Sequence, residues 1–92
     1  MKNTYVEMSD GTLVTYNDIH RDADGEHIAL YFEKPVSDGF AYLETSLPDL
    51  DIVGTEGFSS EQIQDLLSFA RDNAALIWDM AREGGEAFAH AV

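Results

Sequence analysis

Cysteine is absent from this sequence, and basic residues are scarce. Without cysteine, the chain has no disulfide framework, no thiolate metal site and no cysteine nucleophile. Five Lys and Arg residues stand against 18 Asp and Glu, which gives a formal net charge of −13. Phosphates and anionic lipids repel such a protein, so we expect no direct binding to nucleic acid or to membranes.

Long hydrophobic runs are also missing. No stretch approaches the roughly 18 apolar residues that a membrane span requires, so we expect a cytoplasmic protein. The 92 residues are nevertheless 45% hydrophobic and 11% aromatic, which is too rich in core-forming side chains for a disordered acidic tail. A chain of this size supports one small core, so residues 1–92 are predicted to form a single domain.

Three Asp-Gly pairs, at residues 10–11, 24–25 and 38–39, are spaced 14 residues apart between segments rich in β-branched and aromatic side chains. Asp-Gly is a favoured hairpin turn, so this pattern predicts an antiparallel meander in which residues 1–16 and 26–47 form hairpins. The predicted strands are Thr4–Met8, Thr12–Tyr16, Glu26–Glu33 and Phe40–Leu47, with a short edge strand at Ile52–Val53.

The strongest local signal is a helix start at Ser59. Ser59 and Gln62 have the spacing of a capping box, and hydrophobic residues flank them as a staple. Gly84-Gly85 supplies a C-terminal stop, so a helix is predicted over residues 59–83. Residues 86–92 form an Ala-rich tail to which no structure is assigned.

These elements predict an α+β fold, an antiparallel β-meander of four to five strands packed on one long C-terminal α-helix. Alternation along the third strand directs one row of apolar side chains toward the helix. The predicted core comprises Ile28, Leu30, Phe32, Leu43, Leu66, Leu67, Ile77 and Trp78.

One face of the predicted helix is acidic. Its four acidic residues are Asp65, Asp72 and Asp79, at seven-residue spacing, and Glu83, while Ser68, Arg71 and Arg82 also lie around the aspartates. At 1.5 Å rise per residue, successive aspartates lie roughly 10 Å apart. Solvated acidic faces are common on helices, but such a row also complements a basic protein, so we predict these four residues as partner contacts.

The sheet face turned away from the helix is a second candidate surface. Strand alternation places aromatic and acidic side chains together there. These residues are Tyr5, His27, Tyr31, Phe40, Tyr42 and Glu44. Cross-strand aromatic pairs stabilise sheets without any partner, but Tyr31, Tyr42 and Glu44 are predicted as partner-binding residues.

Phe69, Leu76 and Met80 form a second apolar stripe on the helix. A contiguous apolar row is rarely left bare on a small protein. We therefore predict that this stripe forms a symmetric homodimer or binds a partner, or that Phe88 and the C-terminal tail cover it.

His20, Asp22, Asp24 and His27 surround one of the Asp-Gly turns and carry side chains that bind metals. The calcium-loop pattern fails here, because its twelfth position holds Tyr31 instead of a bidentate Glu. Asp-rich hairpin loops are common without a metal, so no metal and no cofactor are predicted. Nucleophile elbows, phosphate-binding glycine loops and zinc motifs are absent, so we expect no enzymatic activity.

Three short motifs follow one another between Ile28 and Ile77. They are Asp38-Gly39-Phe40-Ala41-Tyr42-Leu43-Glu44, Leu47-Pro48-Asp49-Leu50 and Gly57-Phe58-Ser59-Ser60-Glu61-Gln62. Their order resembles the HicB family of antitoxins. The resemblance implies a partial ribonuclease-H-like sheet and helix without nuclease activity, which masks a small basic RNA-cleaving toxin. The family's DNA-binding segment has no counterpart here, so operator binding is not implied.

The leading hypothesis is a non-catalytic acidic protein that binds and neutralises a basic protein or nucleoprotein complex by presenting carboxylates where phosphates would lie. An antitoxin and a phage-type, anti-CRISPR-like inhibitor are both versions of it, and the sequence does not separate them. The alternative is a small housekeeping binding module that uses its aromatic sheet face, with acidity serving solubility only. Salt separates these classes, because only electrostatically steered association weakens steeply with ionic strength. A third hypothesis, a metal-dependent enzyme, would require the cluster from His20 to His27 to hold an ion.

Overall fold

The computed structural model describes residues 2–83. Its elements are β1 (Asn3–Glu7), β2 (Leu13–Tyr16), β3 (His20–Asp22), β4 (Gly25–Val36), β5 (Gly39–Leu47), β6 (Gly54–Glu56) and α1 (Ser60–Glu83). The strands pair antiparallel in the order β1-β2-β4-β5-β6, and β3 pairs with β4 off this path. The predicted α+β fold is confirmed, with six strands instead of four to five.

The three Asp-Gly pairs lie at hairpin turns, as predicted. Their glycines have φ between 92° and 136°, a region that glycine adopts without steric cost. Asp10 Oδ1 accepts the N–H of Thr12 at 2.9 Å, and Asp22 Oδ1 accepts that of Asp24 at 2.8 Å. The first turn is therefore closed by the aspartate of its Asp-Gly pair, and the second by Asp22, two residues before its pair.

Strands β4 and β3 differ from the prediction. Strand β4 extends to Val36, beyond the predicted Glu26–Glu33. Pairing of β4 with β2 ends at Glu33. Beyond that residue the side of β4 that faced β2 needs no backbone donor, which is why Pro35 is tolerated there. No strand is predicted at His20–Asp22, which has no apolar alternation and forms β3 only by pairing with the start of β4.

The edge strand lies two residues later than predicted. Register with β5 places β6 at Gly54–Glu56. At the predicted Ile52–Val53, the Val53 N–H donates to the Glu44 carbonyl at 2.8 Å, but both side chains are exposed. The β-branched residues Ile52 and Val53 predicted the wrong position for the edge strand. Strand propensity reflects side-chain packing, whereas the backbone register with β5 determines where this strand lies.

The core lies between the sheet and α1. Its buried apolar residues are Val14, Tyr16, Ile28, Leu30, Phe32, Ala41, Leu43, Leu47, Leu66, Ala70 and Ile77. Six of the eight predicted core residues are among them, whereas Leu67 and Trp78 are only partly buried and pack against the core. On the helix these two lie roughly 80–100° from Ile77, at the flank of the buried stripe.

The helix begins as predicted. The Ser59 N–H donates to Gln62 Oε1 at 2.8 Å, and the Gln62 N–H donates to Ser59 Oγ at 3.1 Å. Phe58 and Ile63 both pack against the core, as expected for a hydrophobic staple. Helix α1 then extends to Glu83. Within residues 2–83, no helix is long and apolar enough to cross a membrane.

Tyr5 lies on the helix side of the sheet, so its predicted place on the open face is wrong. The register pairs Thr4 with Thr15, and Thr15 with Tyr31, so Thr4 takes the open-face position. The Tyr5 hydroxyl instead donates to Asn73 Oδ1 at 2.6 Å. Alternation within one strand does not show which face of the sheet each side chain takes until the pairing register is known.

Ile77 and its neighbour Leu76 test the packing of α1. Ile77 is fully buried, whereas Leu76 is 53% exposed. Ile77→Ala should lower the free energy of unfolding by about 2–5 kcal/mol, and Leu76→Ala by less than about 1 kcal/mol, measured by urea denaturation. Leu67→Ala should fall between them. Equal losses at residues 76 and 77 would contradict this packing.

Two buried threonines provide a second test. Thr15 Oγ1 has no hydrogen-bond partner among the described residues, whereas Thr45 Oγ1 donates to the Asp51 carbonyl at 2.7 Å. Thr15→Val should therefore leave the free energy of unfolding unchanged or raise it by up to about 1 kcal/mol, while Thr45→Val should lower it by about 1–3 kcal/mol. Chemical denaturation of the two variants measures this. The opposite order would show that the Thr15 hydroxyl is satisfied in solution.

Candidate functional site

The acidic face of α1 is exposed along the helix. Asp65, Asp72, Asp79 and Glu83 are all exposed, and we call these four residues the acidic row. Successive aspartates are separated by two turns, about 10 Å. Within the part of the chain that the structure describes, none of the four carboxylates forms a salt bridge.

Most of the chain's cations are occupied elsewhere. Four of the five Lys and Arg side chains pair with Asp10, Glu26 or Glu33. Two of them, Arg21 and Arg82, share Glu26 at 2.7 Å and 2.9 Å. These four cations therefore form no salt bridge with the acidic row within residues 2–83, and the fifth, Arg71, is exposed next to Asp72 on α1.

Glu26 joins the last turn of α1 to the β3–β4 hairpin. Hydrogen bonds from Arg82 and Arg21 lower its pKa, and Glu26 in turn raises the pKa of Arg82, with a smaller contribution from Asp79. The Arg82 guanidinium also lies 5.2 Å from the centre of the Trp78 ring. Arg82 therefore mainly links the helix to the hairpin, and it also interacts electrostatically with Asp79.

A pocket of about 300 Å³ opens at the Asp65 end of the acidic row, between the β1–β2 loop and the first turns of α1. Its lining residues are Met8, Asp10, Thr12, Phe58, Gln62, Asp65, Leu66 and Phe69. The hydrogen bonds from Thr12, chiefly from its backbone N–H, lower the pKa of Asp10. A pocket with apolar walls and two carboxylates suits a cationic side chain with an apolar stem.

The predicted apolar stripe is divided by the protein's own sheet. The Phe69 ring meets the rings of Tyr5 and Phe32 edge-on, each at 6.2 Å, and Met80 packs against the core. Of the three stripe residues, Leu76 alone is exposed. The expectation that the whole stripe needs an outside cover is therefore wrong, because Tyr5 of β1 widens the helix-facing surface. The homodimer stays a prediction, and the Phe88 cover lies outside the described residues.

The open face of the sheet alternates tyrosine and glutamate. The register pairs Tyr31 with Glu44, Glu33 with Tyr42, and Tyr42 with Glu56. We call these five residues the tyrosine–glutamate face. The predicted Tyr31, Tyr42 and Glu44 thus lie together. Glu33 and Glu56 were not predicted on this face, because their positions depend on pairing between strands.

The histidines near the β3–β4 turn surround one carboxylate. Asp22 lies 3.8 Å from His20 Nε2 and 3.4 Å from His27 Nε2. The backbone N–H of Asp24 is the main cause of the lowered pKa of Asp22, and the two imidazoles add to it. No group of three or more His, Asp or Glu side chains in residues 2–83 is arranged to hold a metal ion.

Comparison with protein-family models, curated proteins and solved structures finds no match for this chain. Between Ile28 and Ile77 the structure has a strand, an Asp-Gly turn, a strand, the short strand β6 and a capped helix, and no comparison relates this order to the HicB antitoxins that the motifs resemble. Membership of that family stays a prediction.

Glu26→Gln tests the link between helix and hairpin through its pH dependence. Because the pKa of Glu26 is lower in the folded protein than its ordinary 4.5, its carboxylate contributes stability above that pH, and the contribution is lost as the pH falls. The variant should melt below wild type at pH 7, and the gap should close toward pH 3. Glu7→Gln, an exposed change of equal charge, should show a smaller gap. A gap of equal size at both pH values would contradict the assignment.

Proposed function

We propose that this protein is a non-catalytic inhibitor that binds a basic, nucleic-acid-handling partner through the acidic row of α1 and neutralises it. One observation carries the proposal: the acidic row is exposed and forms no salt bridge within residues 2–83, while other carboxylates hold four of the five cations. Carboxylates at fixed spacing on a helix offer a basic surface a substitute for phosphates.

Apolar features beside the acidic row supply surface that binding can remove from water, which charged groups alone do not. Leu76 is exposed four residues after Asp72 and three before Asp79, so it is next to both on the helix surface. The pocket adjoins Asp65 at the other end. Affinity at interfaces comes largely from apolar anchors removed from water, whereas surrounding charges set association rate and orientation. Both components are present on this face.

The antitoxin and the anti-CRISPR-like inhibitor are two versions of the same proposal. In the first, the partner is a small basic RNA-cleaving toxin. In the second, it is a large RNA-guided nuclease complex. The mass of the complex that the protein forms separates them, since the surface chemistry required of α1 is the same in both.

Two triple variants with equal charge test the proposal. Asp65→Asn, Asp72→Asn and Asp79→Asn together neutralise the three aspartates of the acidic row, whereas Asp24→Asn, Asp38→Asn and Asp49→Asn change exposed loop positions. Both sets take the formal net charge from −13 to −10. Each protein is used to capture partners from host extract, and the captured proteins are identified by mass spectrometry.

A basic partner should be captured by wild type and by the loop variant but not by the helix variant. Its association rate should fall at least about tenfold between 50 and 300 mM salt, because steering is screened. Added protein should also release the partner from its nucleic acid. Equal capture by both triple variants would remove the acidic row from the mechanism, and salt-independent association would favour the housekeeping module.

A further inference from the structure

Lys2 shows how the open face of the sheet binds a cation. Its Nζ lies 4.1 Å from the centre of the Tyr31 ring and 3.5 Å from Glu33 Oε1. The ammonium group thus meets an aromatic face and a carboxylate together, and each attracts a cation at a protein surface. One part of the tyrosine–glutamate face is therefore occupied by the chain itself.

Tyr42 has a similar setting one strand further along. Glu33 of β4 and Glu56 of β6 are its cross-strand neighbours, and Glu44 is the next residue on the same face of β5. Directly opposed Cβ atoms in a sheet lie about 5 Å apart, so Glu33 and Glu56 flank Tyr42 from the two neighbouring strands. The Glu33 carboxylate already pairs with Lys2. Within the described residues, neither Glu44 nor Glu56 forms a salt bridge.

The Tyr42 ring lies over Gly54. A β-carbon at residue 54 would stand 3.5 Å from Tyr42 Oη and 3.6 Å from Cε2, so the ring covers a strand position without a side chain. Tyr42 is still 41% exposed, and Phe40, two residues earlier on the same face, is 67% exposed. An aromatic side chain has few rotatable bonds, so it offers a contact surface at low entropic cost.

We infer that Tyr42, with Glu44 and Glu56, forms a binding site for a lysine side chain of a partner protein. Charge complementarity selects a cation, the ring provides a cation–π surface, and the intramolecular Lys2 site identifies an ammonium group as one that fits. The site lies on the sheet face opposite α1. It is separate from the acidic row and does not depend on what the acidic row binds.

Tyrosine rings report directly on this site. The chain has four tyrosines, so a sample labelled only in these rings gives a nuclear magnetic resonance signal for each. Tetralysine should shift the Tyr42 signals saturably and leave Tyr5 and Tyr16, on the helix side, unchanged. Tyr31 should respond weakly because Lys2 occupies it. The same peptide with acetylated side chains has no charge and should shift none of them.

Lys2→Met supplies an internal control. Without its ammonium group, the Tyr31 ring and Glu33 become free to bind the peptide, so Tyr31 should gain a saturable response like that of Tyr42. An unresponsive Tyr31 in this variant would overturn the comparison on which the inference rests.

A pair of variants with equal charge isolates the carboxylates. Glu56→Gln should weaken tetralysine binding at Tyr42 about two- to fivefold, whereas Glu61→Gln, on the first turn of α1, should leave it unchanged. Three results would each overturn the assignment: no shift of the Tyr42 signals in the wild type, equal effects of the two variants, or tighter binding of tetra-arginine than of tetralysine. The helix triple variant should keep the Tyr42 response, so failure of either proposal is distinguishable from failure of the other.

Discussion

The scarcity of cations is the constraint on which the rest of this structure depends. Four of the five basic side chains link separate elements: Lys2 joins the N-terminus to β4, Lys34 joins β4 to the β1–β2 loop, and Arg21 and Arg82 join β3 and α1 through Glu26. Each exposed pair contributes little stability by itself. Their larger effect is on the surface, because within residues 2–83 the cations in these links form no salt bridge with the acidic row.

The negative surface consists of two faces with different chemistry, which lie on opposite sides of the core. On one side, α1 presents aspartates in a line beside Leu76 and the pocket. On the other, the sheet interleaves glutamates with tyrosine rings. A line of carboxylates attracts a cationic surface over several ångströms, whereas a ring beside a carboxylate recognises a single ammonium group. The same excess charge thus underlies both of the recognition modes that we propose.

Local chemistry was predictable from the sequence, and pairing between distant strands was not. The Asp-Gly turns and the Ser59–Gln62 capping box depend on residues within four positions of each other, and the structure has them where they were predicted. The face of Tyr5, the position of β6 and the places of Glu33 and Glu56 depend on register. Register is set by the whole sheet, and a shift of one residue moves every side chain to the opposite face.

Charge also bears on which of the two proposed partners, a second copy or a basic protein, contacts Leu76. A symmetric contact at this residue would bring Asp72 and Asp79 of each copy close to their counterparts, because both aspartates adjoin Leu76 on the helix. Two chains of net charge −13 would then meet at their acidic faces. With Phe69 and Met80 already packed against the domain's own core, little apolar area offsets that repulsion. A cationic partner gains from the same carboxylates that a second copy must overcome, so the surroundings of Leu76 favour the basic partner over the homodimer.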